Sequence, residues 1–283
     1  MDLKIYAPEE LSGAPVKLPL SKSESNRQLI IAALTPGAEL PRDVAKCDDT
    51  DALLAALDRT DGVVNIGAAG TAMRFLTAYY ACRPGTDVLL DGSERMRQRP
   101  IGPLVEALRT LGCDIEYVGE QGFPPLHIRG CQPKGGTVEM DATVSSQYVS
   151  ALMMVAPLME QGMSLRLIGD IVSRPYIRMT ESLMKAAGIG VMFDEPEGLV
   201  EIPRGTYEPG LPPVEADWSA ASYWLEIAAI SCEPVQLLGL RPKSLQGDSE
   251  VTRLFQPTGL RCGFEEEGSL LSLIHISEPT RPY

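Results

Sequence analysis

The sequence predicts an α/β fold in which pairs of helices recur between short strands. Three observations predict it. Four strongly apolar stretches, Ser23 to Leu34, Gly70 to Cys82, Ser145 to Pro157 and Ser219 to Ile230, start 47, 75 and 74 residues apart. Four amphipathic partners, Asp49 to Leu57, Pro100 to Leu111, Tyr176 to Ala187 and Asp248 to Phe255, start 51, 76 and 72 residues apart, nearly in step with the first series. Short β-like runs fall between them, as alternating strands and helices require.

The first helix of each pair is apolar almost all round, as in Tyr148-Val149-Ser150-Ala151-Leu152-Met153-Met154-Val155, so it should be buried inside its domain. The second keeps a polar face, as in Leu104-Val105-Glu106-Ala107-Leu108-Arg109. Helices enclosed by sheet depart from the doubly wound plan, in which helices cover a central sheet. In order, the strands expected are Leu3 to Tyr6, Val63 to Ile66, Val88 to Leu90, Ile115 to Val118 and Thr137 to Met140. Then come Ser164 to Ile168, Gly190 to Phe193, Leu199 to Ile202, Val235 to Leu238 and Arg261 to Glu265. His127 lies in the alternating stretch Leu126-His127-Ile128-Arg129 and reads as a strand residue rather than a base. Pro209-Gly210-Leu211-Pro212-Pro213 is a linker, with three repeats before it and one after.

Composition narrows the function. At 283 residues, 44% hydrophobic and 22% charged, the chain suits two globular domains. No apolar run reaches the ~18 residues of a membrane span, and Met1 to Glu10 has no signal-peptide pattern. A net charge of −13 argues against nucleic acid and makes any gathering of Lys and Arg informative. The six cysteines are widely spaced and there are two histidines, His127 and His275, so a metal site is not expected and reduced thiols in a cytosol are.

Basic and hydroxyl residues do gather, at helix starts. Ser21-Lys22-Ser23-Glu24-Ser25-Asn26-Arg27 opens the first helix. Unpaired N–H groups and a partial positive charge there favour phosphate or carboxylate. Read alone it is a Ser N-cap with two solvated basic residues. Asn65-Ile66-Gly67-Ala68-Ala69-Gly70-Thr71-Ala72-Met73-Arg74 lets backbone approach an oxyanion, or is simply a helix entered through a glycine turn. It lacks the terminal Gly-Lys-Ser/Thr of a Walker A loop. Arg95, Arg97 and Arg99 stand within five residues before a helix, where they are either a solvated loop or an anion clamp. Ser145-Ser146-Gln147 and Ser173-Arg174-Pro175-Tyr176 open two more helices, and each alone is an ordinary cap.

Together these segments resemble the EPSP synthase family, the 3-phosphoshikimate 1-carboxyvinyltransferases. The residues that carry the resemblance are Ser21-Lys22-Ser23 with Ser25-Asn26-Arg27, Ala69-Gly70-Thr71-Ala72-Met73-Arg74, Arg95-Met96 with Arg99-Pro100-Ile101-Gly102, Ser145-Ser146-Gln147-Tyr148 and Ser173-Arg174-Pro175-Tyr176. Asp217-Trp218-Ser219-Ala220-Ala221-Ser222-Tyr223 and Leu245-Gln246-Gly247-Asp248 follow in the same order. The resemblance implies an enolpyruvyl transferase-like α/β fold of βαβαββ units with buried helices, three to a domain, and a cleft faced by helix N-termini of both domains. Here it implies a complete three-unit domain at 19–213 and an incomplete second domain from 1–18 and 214–272, with 273–283 a non-native tail. On that division, the apolar helix Ser219 to Ile230 has cover on few sides.

The activity implied is transfer of the enolpyruvyl group of phosphoenolpyruvate to the 5-hydroxyl of shikimate 3-phosphate. This is a step of the shikimate pathway to aromatic amino acids, with no metal or organic cofactor. The resemblance also implies a cytoplasmic protein, monomeric at full length, with no nucleic-acid or membrane partner. Carried over by position, Lys22, Gly70 and Arg99 hold phosphoenolpyruvate, supported by Thr71 and Arg74. Ser23, Arg27, Ser145, Ser146, Ser173 and Tyr176 hold shikimate 3-phosphate, and Gln147 touches both. Lys22, Arg99 and Gln147 are the candidates nearest the reacting atoms.

Two departures stand out. Ala68 replaces a frequent Asn and removes an amide donor, and Phe75 replaces a Pro or small residue. The family's later motifs are also missing, among them Asn-x-x-x-Lys-Glu-x-Asp-Arg, Asp-His-Arg and a final Lys, which supply acid/base groups. A truncated chain with little or no turnover is therefore expected. Two alternatives stay open: a non-catalytic module for phosphorylated ligands, and the relative acting on a UDP-sugar. The Ser-Lys-Ser and Arg-Pro-Ile-Gly segments speak against the latter, which has Lys-Asn and a catalytic Cys loop.

Overall fold

The computed structural model describes residues 13–143, 145–171, 173–265 and 268–274. The expected strand Leu3 to Tyr6 lies outside them. The first strand described is β1 (Val16–Lys17). The chain divides into two compact units, Ser21–Val214 and the flanking segments on either side of it.

Within Ser21–Val214, helices α1 (Lys22–Leu34) and α2 (Asp48–Ala56) come first. Next are β2 (Asp61–Asn65), α3 (Gly70–Ala81), β3 (Asp87–Asp91), α4 (Glu94–Arg97), α5 (Gly102–Thr110), β4 (Asp114–Tyr117) and β5 (Leu126–Arg129). The pattern repeats as β6 (Gly136–Asp141), α6 (Ser146–Val155), β7 (Met163–Ile168), α7 (Arg174–Ala186), β8 (Met192–Asp194) and β9 (Leu199–Ile202). The two sheets have one topology, β2-β3-β5-β4 and β6-β7-β9-β8: a parallel first pair extended by an antiparallel hairpin. Each is a βαβαββ unit. Among the described residues α1 and α2 have no four-stranded sheet of their own, so the unit holds two such repeats plus a helix pair, where three full repeats were expected.

Strand alternation sets which face the helices cover. Val138, Met140, Leu165 and Leu167 are buried on one face of β6 and β7, while Glu139 and Arg166 pair in register on the other. The covering layer is nearly all apolar. Every residue of α3 is buried, as is every residue of α6 from Tyr148 to Val155. α3 packs on α2 and α6, and α1 on α2 and α7. Full burial of side chains such as Leu29, Leu76 and Leu152 stabilises by about 1.5–3 kcal/mol each. The Tyr79 and Tyr80 hydroxyls donate to the carbonyls of Leu57 and Ala56, at 3.0 and 2.6 Å, which satisfies the end of α2.

The flanking unit is a third version of the same sheet, assembled from both ends of the sequence. It contains α8 (Trp218–Ser231), β10 (Val235–Leu238), α9 (Val251–Leu254), β11 (Leu260–Glu265) and β12 (Ser269–Ile274). The order is β1-β10-β12-β11, with β1 parallel to β10 in the place of the first strand. Asp217 caps α8, accepting the Ala220 amide at 2.8 Å. The buried Glu215 carboxylate gathers the Trp218 indole N–H, the Arg241 amide and the Ser244 hydroxyl, at 2.7–2.8 Å.

The structure corrects three boundaries. The helix expected from Pro100 starts at Gly102, after the separate turn α4, with Ile101 non-helical before it and Pro103 in its first turn, where a missing N–H costs nothing. The helix expected from Asp248 to Phe255 is a 3-10 turn, the four-residue α9 and a second 3-10 turn carrying Pro257. β12 runs through Leu273 and Ile274, which pair with Arg261 and Leu260, so the sheet continues past 272. The rest of the expected tail lies outside the described residues.

Candidate functional site

The start of α1 is held by short local bonds. The Ser21 hydroxyl accepts the Glu24 amide at 3.4 Å, and the Ser25 hydroxyl accepts the Ala45 amide at 2.9 Å. Lys22 Nζ lies 3.4 Å from Asp49 Oδ2 in the first turn of α2. The other oxygen, Asp49 Oδ1, accepts the Thr71 amide of α3 at 2.8 Å. Thr71 Oγ1 in turn accepts from Gln147 Nε2 of α6 at 3.3 Å. One polar chain, Lys22, Asp49, Thr71 and Gln147, thus joins the N-terminal turns of four helices.

Asp49 was missed from sequence. It stands among Asp48, Asp49 and Asp51, which read as the usual acidic complement to a helix dipole. With Lys22 about half exposed, the ion pair itself contributes under about 1 kcal/mol, so its role is positional.

The glycine-rich entry to α3 and the arginine segment meet next to this chain. Gly70 has no side chain, and Arg99 fills the space: its guanidinium carbon is 2.8 Å from where a Cβ would stand. Gly92 is pressed likewise, with the Gly67 carbonyl 2.7 Å from its absent Cβ, so the loops before α3 and α4 lie against each other. Arg74 is buried. It donates to the carbonyls of Gly70 at 3.0 Å and Pro100 at 3.1 Å, and Tyr148 donates to the same Pro100 carbonyl at 2.6 Å. Burial lowers the Arg74 pKa, Tyr148 opposes the shift, and the charge of Arg99 adds to it.

The three clustered arginines separate. Arg97 donates from Nε and Nη2 to the two Asp91 oxygens, at 2.9 and 2.5 Å, and this bond holds the Asp91 carboxyl below its usual range. Arg95 and Arg99 instead line a cavity of about 420 Å³ with Ala68 and Met96.

A second group surrounds the starts of α6 and α7. The Arg27 guanidinium donates to Thr180 Oγ1 at 2.8 Å, the Ser23 carbonyl at 2.8 Å and Ser150 Oγ at 2.9 Å. It lies 5.5 Å from the Phe75 ring centre and 5.6 Å from that of Tyr176. Burial brings its pKa down to about 10, against the opposing effect of Tyr176. Arg27 is therefore a buried junction of α1, α6 and α7, with at least three of its five N–H donors spent on the protein. Ser146 and Ser173 line one narrow cavity with Ala142, Val149, Leu167 and Ile177. Ser145 is exposed and caps α6 by accepting the Gln147 amide at 3.3 Å.

The expected residues thus fall into two neighbouring groups. Lys22, Gly70, Thr71, Arg74, Arg99 and Gln147 surround the start of α3, and Ser23, Arg27, Ser145, Ser146, Ser173 and Tyr176 the starts of α6 and α7. His127 is outside both, on β5, with Nε2 2.6 Å from Asp87. No group of three or more His, Cys, Asp or Glu among the described residues is arranged to hold a metal. No helix among them is long and apolar enough to cross a membrane.

Comparisons with known proteins point to one family. The family model described as EPSP synthase (3-phosphoshikimate 1-carboxyvinyltransferase) matches residues 58–275. A 3-phosphoshikimate 1-carboxyvinyltransferase of Bacteroides fragilis is 47% identical over 266 residues, covering 93% of this chain and 64% of the relative. One from Yersinia pestis is 41% identical over 288 residues, covering 92% of this chain and 67% of the relative. Two structures of EPSP synthase from Acinetobacter baumannii share the fold, with TM-scores of 0.75 and 0.78 at 20% identity over 92% of this chain and 64% of theirs. The chain spans 64% of the length of the Bacteroides relative. With its three sheets of one topology and a family match across most of its length, the chain belongs to the EPSP synthase family.

Proposed function

We propose that this chain serves the transfer of the enolpyruvyl group of phosphoenolpyruvate to the 5-hydroxyl of shikimate 3-phosphate, in the cytoplasm. The observation that carries the proposal is the polar chain from Lys22 through Asp49 and Thr71 to Gln147. It sets a cation, a helix N-terminus and an amide side by side. Both substrates are multiply charged anions, so fixed donors that need no reorganisation suit them.

Lys22, Gly70 and Arg99 are assigned to phosphoenolpyruvate, with Thr71 and Arg74 shaping that site. Ser23, Ser145, Ser146, Ser173 and Tyr176 are assigned to shikimate 3-phosphate, over the buried Arg27. Gln147, in the first turn of α6 and bonded to Thr71 of α3, is assigned to both. Holding the two substrates together supplies the proximity part of the catalysis. The proton transfers of addition and elimination need acid/base groups, and none of these residues is assigned that task.

The test is twofold. Calorimetric titration of the full chain with shikimate 3-phosphate should show binding that Ser146→Ala together with Ser173→Ala weakens at least about tenfold, the scale of two lost bonds to a charged ligand. Phosphate release from both substrates should be slow or absent. Absence of shikimate 3-phosphate binding would overturn the assignment, and release at the rate of a full-length relative would overturn the expectation of poor turnover.

A further inference from the structure

Arg95, Arg97 and Arg99 are equivalent in sequence, yet the fold gives them different work. Ser93 caps α4 by accepting the Met96 amide at 3.3 Å, and the Met96 side chain is buried, with Sδ 3.6 Å from Arg74 Nη1. Met96 anchors the short segment between its arginines. Arg97 turns back to Asp91, which also accepts the Gly92 amide at 2.7 Å, so this arginine braces the loop. Arg95 and Arg99 stand four residues apart on the other side and line the same cavity of about 420 Å³. Among the described residues neither guanidinium has a carboxylate or any hydrogen-bond acceptor. Ala68 completes the wall with a methyl group, adding no donor and no bulk.

Two unpaired guanidinium groups beside one cavity repel each other, and the nearby Arg74 feels the charge of Arg99 as well. The chain has a net charge of −13, yet among the described residues no carboxylate forms an ion pair with Arg95 or Arg99. The cost is recovered when a dianion enters, since a phosphoryl group accepts bidentate bonds from two arginines at once.

We propose that Arg95 is a second ligand of the phosphoryl group that Arg99 holds, so that the two form a clamp in which Arg95 supplies donors that Ala68 lacks. The ligand class is a phosphate monoester or inorganic phosphate in its dianionic form. The proposal rests on the assignment of phosphoenolpyruvate to the Arg99 site, and two probes keep the two ideas apart.

The experiment titrates the full chain with phosphoenolpyruvate and, separately, with inorganic phosphate, and compares R95Q, R95K and R97Q with the parent. Arg95 is exposed, so R95Q should keep the parent's melting temperature. It should weaken binding of both probes about tenfold or more, the scale of a lost charge-assisted bond, with R95K recovering part of it. R97Q should bind within about twofold of the parent, because its partner is Asp91. The clamp is overturned if R95Q binds as tightly as the parent, if R97Q loses as much as R95Q, or if the parent binds neither probe. Binding of inorganic phosphate that depends on Arg95, without binding of phosphoenolpyruvate, would leave the clamp standing and remove the enolpyruvyl assignment.

Discussion

α3 and α8 hold the same place in the same sheet topology, between the first and second strands of a βαβαββ unit. All of α3 is buried, but α8 buries Trp218, Ala221, Leu225 and Ala228 alone. Those four lie on one stripe, at spacings of three and four. The opposite side is also apolar: Tyr223, Ile227 and Ile230 are 68%, 39% and 76% exposed. The sheet therefore covers one face of such a helix and no more. α3 is sealed by its helical neighbours α1, α2, α5 and α6, whereas α8 meets β10, β12 and a 3-10 turn. A βαβαββ unit is not a self-sufficient core; its apolar helix is completed by helices from other units.

The sharpest test of that difference substitutes a matching residue on each helix. Leu76→Ala on α3 should cost about 2–5 kcal/mol, for the lost transfer energy and the cavity left behind. Ile230→Ser on α8 should cost under about 0.5 kcal/mol and raise solubility. Urea unfolding followed by circular dichroism reads the first, and light scattering under native conditions reads the second. Equal costs at the two sites would mean that the face of α8 is covered after all.

The same contrast shows what the sequence makes legible. α6 is readable because Tyr148 to Val155 is a continuous apolar run, and β9 and β10 because their alternation ends at turns. The exposure of α8 is not readable from composition, since its run is as apolar as that of α3; it follows only from the domain division that the resemblance implies, which leaves Ser219 to Ile230 with few neighbours. At the site, the helix-start hydroxyls and glycines are visible as local patterns. The roles of the arginines are not. Arg27 acts as a buried junction through Ser150 and Thr180, which are 123 and 153 residues away. Arg95, Arg97 and Arg99 look alike until Asp91 claims the middle one. Asp49 hides in an acidic turn whose other members only complement the helix dipole.

Arg27 offers the next test, because it is a polar junction among the sealed helices. Arg27→Met keeps much of the stem and removes the guanidinium. It leaves the Ser23 carbonyl and the Ser150 and Thr180 hydroxyls without their shared donor. The two hydroxyls can still bond to each other, since Thr180 Oγ1 already donates to Ser150 Oγ at 2.9 Å. The desolvation cost that Arg27 carries while buried is also removed. The net loss should therefore be about 1–3 kcal/mol, below that of Leu76→Ala. A rise in stability instead would show that α1, α6 and α7 are held by their apolar contacts alone.

The smallest expected effect is at the edge of the sealed core, where Asp91 fixes the loop before α4. Arg97 lowers the Asp91 pKa by bonding to its charged form, with the Gly92 amide adding to it. A carboxylate whose pKa is lower in the folded state contributes stability while ionised, above its unfolded pKa near 3.8, and the contribution fades as pH falls through the folded value. Asp91→Asn should thus melt a few degrees lower than the parent at pH 7, and the gap should close as pH is taken below about 4. Because Arg97 is exposed and the loop is braced rather than buried, shikimate 3-phosphate binding should change little, while phosphate binding at the Arg95 and Arg99 cavity falls modestly as the loop loosens. A gap that persists unchanged to pH 3 would show that the Gly92 amide bond matters more than the charge of Arg97.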